Sequence, residues 1–500
     1  MSIVETFKSK QEFINFDNNL RGKEALGEGV SRRDFVKGLV GGLIVGGVVA
    51  GIAGYAGGKG AAKTITTTVT QTGAGAPAAT ATVTKTVTST VTQTVTAGKT
   101  PAGIPKTPIK LGVVTILSGP GAMLFDPGLK TLQMEIEKIN AQGGILGRKV
   151  ELIVYDSGGK PDRCVDLYKK LVTEDQVDFV TVGATSAEAC AVGPIAEQMK
   201  VVTLIQEGTA NKLFEEVIPN PRYVFRIANY DAIDAISHAR AILKTFPNVK
   251  RIAGIIADYV WGHDEWEILT TTLKKMKPDI EIVAEAYPPL FSKDFSSHIS
   301  KVLSANPDYV DLVLWGGDLV TCIKQGMGYG LFSKAKVGAV TGGEYVWGLG
   351  TDAPEGMLCS TRYYFLYPPW DKWWINRDFN KEFHERYPDV RGGYPGFNCN
   401  SCYVVAHALK LAIEKAYAIT GEWPSQEDVA RALENLMVPS PGGYRYFRKE
   451  DHQMLGYSVS GLTKLSPDYP FVILDPVWAN PPEEVAPPPG VKWRDWVESW

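Results

Sequence analysis

Residues 109–156 read IKLGVVTILSGPGAMLFDPGLKTLQMEIEKINAQGGILGRKVELIVYD. The segment opens on an apolar run, Ile109 to Leu117, long enough for one buried strand. A glycine turn follows, Ser118-Gly119-Pro120-Gly121. Leu129, Leu132, Met134, Ile136 and Ile139 then recur at helical spacing. The pattern stops at Asn140-Ala141-Gln142-Gly143-Gly144, where glycine supplies the left-handed conformation that ends a helix. Val150 to Tyr155 is a second strand. Strand, helix and strand with tight connections make a βαβ unit, whose strands are parallel and covered on both faces. Ligands of such sheets bind beyond the carboxyl ends of the strands, which makes Ser118 to Gly121 a candidate site wall.

The alternation continues outward. Helices are expected at Pro161–Glu174 and Ala187–Met199, with strands at Asp178–Val182 and Val201–Ile205 and an extended crossover at Tyr223–Arg226. A second series has helices Asp231–Lys244, Asp264–Met276, Asp294–Ala305 and Leu319–Gly328. Its strands are Arg251–Ala257, Glu281–Ala286, Val310–Trp315 and Lys336–Thr341, with loops at Asp258–Gly262 and Gly316–Asp318. Two successive α/β units result. A helical part spans 377–437, and short strands follow to Leu474.

Composition narrows the function classes. The 500 residues allow two or three domains, and 44% hydrophobic content with 21 Tyr, 18 Phe and 12 Trp can fill sizeable cores. Fifty-two basic against 55 acidic residues leave a net charge of −3, which gives no basic field for nucleic acid. Six cysteines and six histidines show no metal-ligand spacing, and neither a zinc-protease motif, a G-x-S-x-G elbow nor a Walker loop occurs. No cofactor and no metal site are expected.

Residues 1–30 are expected to be a cytoplasmic leader. Ser31-Arg32-Arg33-Asp34-Phe35 then meets an uncharged run, Gly38 to Gly58, and this resembles a twin-arginine export signal over residues 31–58. The run is long enough to span a bilayer and to remain as an anchor. Residues 59–107 are Thr-rich and of low complexity; they read as an extended stalk that holds a head off the membrane.

The head resembles the type I periplasmic binding proteins of the branched-chain amino acid (Leu/Ile/Val) group, the receptors of ABC importers. The resemblance rests on Leu117-Ser118-Gly119-Pro120, on Ile139-Asn140-Ala141-Gln142-Gly143-Gly144-Ile145-Leu146-Gly147-Arg148 and on Tyr223-Val224-Phe225-Arg226. It extends to Asp294-Phe295-Ser296, Asn306-Pro307-Asp308 and Ala353-Pro354-Glu355-Gly356-Met357. It implies an α/β clamshell of two Rossmann-like lobes with parallel central sheets, joined by a three-strand hinge. Lobe 1 would be 108–228 plus 360–452, lobe 2 would be 229–359 plus 453–480, and 481–500 a Pro/Trp-rich tail that docks either on the head or on a partner.

The same resemblance implies a ligand held in the hinge cleft. Ser186 matches the family's Gly-x-x-Ser position, and Gly208 and Thr209 its small-residue-then-Thr position; both Ser186 and Thr209 also suit helix capping, and the roles can coexist. Ser118 sits on the adjoining turn. Trp261, before Gly262, takes the place of a cleft aromatic, with a possible cation–π face. Glu344 matches the acid that pairs an α-ammonium. Glu207 and Asp318 depart from the family, which has a small residue and an aromatic there. Three acids around one cleft imply a ligand rich in cationic or donor groups, such as a basic amino acid, an amide, urea or a polyamine. Alternatively, only the backbone of Glu207 faces the ligand. Tyr394 and Phe397 are candidates for the rim. The family also suggests a Cys164–Cys190 disulfide, and Cys399-Asn400-Ser401-Cys402 is either a local disulfide or two buried thiols.

The expected function is a non-enzymatic, exported solute receptor on the outer membrane face, monomeric, binding an amino acid or amide-type ligand and partnered by an ABC permease. Three alternatives remain open. One is a ligand sensor of the same fold. Another is an exported hydrolase, for which His263 has no evident nucleophile. The last is a stalked surface-structure protein.

Overall fold

The computed structural model describes residues 103–500. The expected leader, twin-arginine signal and nearly all of the Thr-rich stalk lie outside the described residues. Among the described residues, no helix is long and apolar enough to cross a membrane.

The first series is β1 (Ile109–Thr115), α1 (Ala122–Ala141), β2 (Val150–Asp156), α2 (Pro161–Thr173), β3 (Phe179–Val182), α3 (Ser186–Met199), β4 (Thr203–Ile205) and β5 (Val224–Arg226). Its five strands form one parallel sheet in the order β2-β1-β3-β4-β5. The pleat of β1 sends Leu111 and Val113 to one core, shared with Leu132, Ile136 and Leu409. Val114 goes to the other, shared with Leu171, Val180 and Val192. Covering both faces is what makes these strands continuous apolar runs. α1 stops where expected, and Gly143 and Gly144 beyond it have φ of +108° and +80°.

The second series runs α4 (Asp231–Thr245), β6 (Arg251–Ile256), α5 (Val260–Met276), β7 (Glu281–Ala286), α6 (Ser296–Ser304), β8 (Tyr309–Val313), α7 (Gly316–Gly328), α8 (Leu331–Lys334), β9 (Lys336–Ala339) and β10 (Leu358–Thr361). The chain then returns to the first sheet through α9 (Trp374–Arg386), α10 (Phe397–Thr420), α11 (Gln426–Leu433), β11 (Met437–Ser440), β12 (Gly443–Phe447) and β13 (Met454–Leu455). It goes back again as β14 (Ser458–Lys464) and β15 (Ile473–Asn480), ending in α12 (Pro482–Val485) and α13 (Trp493–Glu498). The second sheet has seven strands in the order β15-β14-β10-β9-β8-β6-β7, parallel except at β14 and β15. The fold is therefore α/β with two sheet-centred lobes, and the chain passes between them three times.

Two helices begin earlier than the sequence suggests. α5 starts at Val260, so Trp261-Gly262 is its first turn, and α7 starts at Gly316, so Gly316-Gly317-Asp318 is helical. The tail docks on the head. Trp493 and Val497 are buried in the core of lobe 2, and Arg494 pairs with Glu267 of α5. All six cysteines are free thiols. The Cys164–Cys190 disulfide expected from the resemblance is thus absent: Cys164 is wholly buried in the lobe 1 core and Cys190 is half-buried beside it. Cys399 and Cys402 are two buried thiols on α10.

Candidate functional site

The ends of β3, β4, β6, β8 and β9 converge on a cavity between the lobes. Lobe 1 contributes Thr185, Ser186, Glu207, Gly208, Thr209, Phe125 and Phe397, and lobe 2 contributes Tyr259, Trp261, Trp315 and Tyr345. Arg362, just past the end of β10, completes the wall.

Ser186 is released from capping by its neighbour. Thr185 caps α3: its hydroxyl accepts from Glu188 N at 3.2 Å, and its own N–H donates to the Glu188 carboxylate at 2.8 Å. Ser186 Oγ instead accepts from Ala210 N at 3.1 Å, which ties the α3 start to the turn after β4. That turn depends on Gly208, whose φ is +76° and whose added Cβ would lie 2.5 Å from the Ala189 Cβ.

Glu207 and Arg362 are the two charges on the cavity wall, and they engage each other. Arg362 Nη1 donates to Glu207 Oε2 at 2.7 Å, Nε to Asp234 Oδ2 at 2.6 Å and Nη2 to Thr209 Oγ1 at 3.3 Å. Asn398 and Ser401 donate to the other Glu207 oxygen. Burial raises the Glu207 pKa, with Arg362 opposing. Burial disfavours the Arg362 cation, but Asp234 and Glu207 outweigh it and push its pKa up. The guanidinium also lies over the Phe397 ring, 5.0 Å from its centroid.

Of the residues singled out in the sequence, Ser186, Glu207, Gly208, Thr209 and Trp261 line one cavity, and Ser118, Asp318 and Glu344 do not. Ser118 is exposed and bonds Asp156. Asp318 is buried, accepts from Phe291 N at 2.7 Å and so fixes the loop after β7; burial pushes its carboxyl up to about 6. Glu344 accepts from Phe397 N at 3.1 Å and from Thr361 Oγ1 at 3.0 Å, with Arg391 4.0 Å away. Burial pushes its carboxyl up to about 7. The expectation of three acids around one cleft is therefore corrected, since only Glu207 lines it. Two face protein donors off the wall, and Glu207 is ion-paired. Phe397 reaches the cavity, whereas Tyr394 stacks on Phe365 at 4.9 Å, outside the lining. Arg362 was missed; its signal is a lone charge directly after the uncharged strand β10. His263 is exposed and bonds Asp258 at 2.8 Å, away from the lining.

The lobes touch across the cleft. Asn211 N donates to Asp264 Oδ2 at 2.5 Å. Pro120, on the glycine turn after β1, meets the start of α7 so closely that a Cβ on Gly317 would lie 3.0 Å from the Pro120 Cβ.

The periplasmic binding protein family matches residues 108–458. The chain belongs to the periplasmic binding protein family. A Leu/Ile/Val-binding protein homolog 4 from Brucella melitensis is 26% identical over 361 residues, covering 70% of this chain and 83% of the relative. A periplasmic binding protein from Burkholderia mallei superposes with a TM-score of 0.67 at 19% identity, over 76% of this chain and 96% of that one. An ABC transporter solute-binding protein from Rhodopseudomonas palustris, in complex with 3,4-dihydroxybenzoic acid, superposes at 0.65 with 21% identity, over 76% and 99%. In this family member, then, the cavity lies at the carboxyl ends of the parallel strands of both sheets.

Proposed function

We propose that this protein is the solute receptor of an ABC importer, exported and held at the outer face of the membrane by residues 38–58 and the stalk. Its lobes, 108–228 with 360–452 and 229–359 with 453–480, close by hinge motion on one amino-acid-sized solute. The observation that carries the reading is the cavity shared by both lobes. Ser186 and the Glu207-Gly208-Thr209 turn come from one side, Tyr259, Trp261, Trp315 and Tyr345 from the other. A ligand touching both sides favours the closed arrangement over any open one. Relatives bearing Leu/Ile/Val-binding names and a fold neighbour holding a dihydroxybenzoate agree with a small organic solute.

The test is a thermal-shift screen of the full chain against amino acids, amides, urea, polyamines and organic acids. A true ligand raises the unfolding midpoint as RT ln(1 + [L]/Kd), by about 2.7 kcal/mol at one hundred times Kd. Trp261→Ala is expected to lower the ligand-free midpoint, as a buried aromatic lost from the core does, and to reduce the ligand-induced shift measured from that lower midpoint. A flat response across the whole panel would refute the receptor reading.

A further inference from the structure

The polar groups left over on the cavity wall are all able to donate. Arg362 uses one N–H of each terminal nitrogen on Glu207 and Thr209, and a guanidinium carries five N–H groups, so two remain. Tyr345 Oη is buried on the wall with no hydrogen-bond partner. Tyr259 Oη already accepts from Trp315 Nε1 at 2.8 Å and so presents its proton. Ser186 Oγ already accepts from Ala210 N and does the same.

The carboxylate on the cavity wall, by contrast, is engaged. Glu207 takes three protein donors, and the Glu344 carboxyl takes two from Thr361 and Phe397. Asp231 and Glu265, whose carboxylate oxygens lack hydrogen-bond partners, do not line the cavity. An ammonium brought here would lose its water and find no free carboxylate on the wall. The rest of the wall is aromatic: Phe125, Tyr259, Trp261, Trp315, Tyr345 and Phe397.

We infer that the cavity takes a small aromatic monocarboxylate that carries no ammonium group. The carboxylate lies against the Arg362 fork and the hydroxyls, and the ring lies between the aromatic walls. This inference rests on the receptor reading and names the solute class of that same site. It reverses the sequence-based expectation of a donor-rich ligand, because the Glu207 carboxylate is taken up by protein donors and the wall groups left over are N–H and O–H.

Matched pairs test it on the full chain by calorimetry: 3-phenylpropanoate against phenylalanine, 4-methylpentanoate against leucine, and benzoate against benzamide. In each pair the first compound is expected to bind at least about tenfold more tightly. 3-Phenylpropanoate is expected to exceed 4-methylpentanoate. Tyr345→Phe, which keeps the ring and removes the unpartnered hydroxyl, is expected to weaken the carboxylates about tenfold, with the same urea midpoint as the parent. Arg362→Lys keeps the charge, loses the fork and is expected to weaken them further. Tighter binding of phenylalanine or leucine than of their deaminated partners overturns the inference and leaves the receptor reading standing. Binding of none of the six, with a response to another solute, does the same. Silence towards all solutes removes both.

Discussion

Replacing Arg362 by Met strands Glu207 and Asp234 as buried carboxylates without their cation. Breaking such a pair from one side costs about 3–5 kcal/mol, so urea unfolding of Arg362→Met should show a loss of that size. Glu344 gives a pH signature. Its carboxyl rises from the ordinary 4.5 to about 7, chiefly through burial. The native state therefore holds a proton that the unfolded chain has released. The contribution to stability is full below pH 4.5 and is lost as pH rises through about 7, a change of about 3 kcal/mol. Glu344→Gln should narrow the difference between urea midpoints measured at about pH 5 and about pH 8. At this scale the sequence was half legible. Ser186 and Thr209 are found through the family resemblance, because each matches a family position just beyond a strand end. Where Glu344 points is not legible, since the direction of a carboxylate depends on Thr361 and the Phe397 amide, which are distant in the chain.

At the level of elements, the short C-terminal helices belong to the head. Trp493 is buried against lobe 2, its N–H donates to Glu215 Oε1 at 3.0 Å, and Lys275 of α5 donates to Glu498 O at 2.8 Å. Trp493→Ala should cost about 3–5 kcal/mol, read from the denaturant midpoint, as expected for a large aromatic lost from a core. Periodicity alone located nearly every strand and helix of both series. It misplaced the starts of α5 and α7, because glycine is a poor helix former and Gly262 and Gly316-Gly317 read as loop. Tertiary packing overrides that preference. A Cβ on Gly262 would come within 2.0 Å of the Ala257 carbonyl, so the absence of a side chain is what lets α5 start so close behind β6. Docking of the tail was not legible, because its few apolar residues fit a partner as well as the head.

For the whole molecule, the two parallel sheets and the three passages between them follow from the alternation of strand and helix, and a fold-level resemblance needs little more. How closely the lobes meet is a property of contacts between residues some two hundred positions apart, such as Pro120 and Gly317. Gly317→Val should hold the lobes apart at that point, weaken ligand binding by about tenfold or more, and enlarge the radius of gyration of the ligand-bound protein in X-ray scattering. The thermal midpoint without ligand should change little.

That contact has a consequence for whatever docks on the outside. Where lobe meets lobe at this edge, the stop consists of a proline turn against two residues with no side chain. Its position is independent of the rotamers inside the cavity. On the hinge motion proposed above, any solute that brings the lobes together would reach the same limit, and a membrane partner would be offered one outer shape, a yes-or-no signal in place of a description of the cargo.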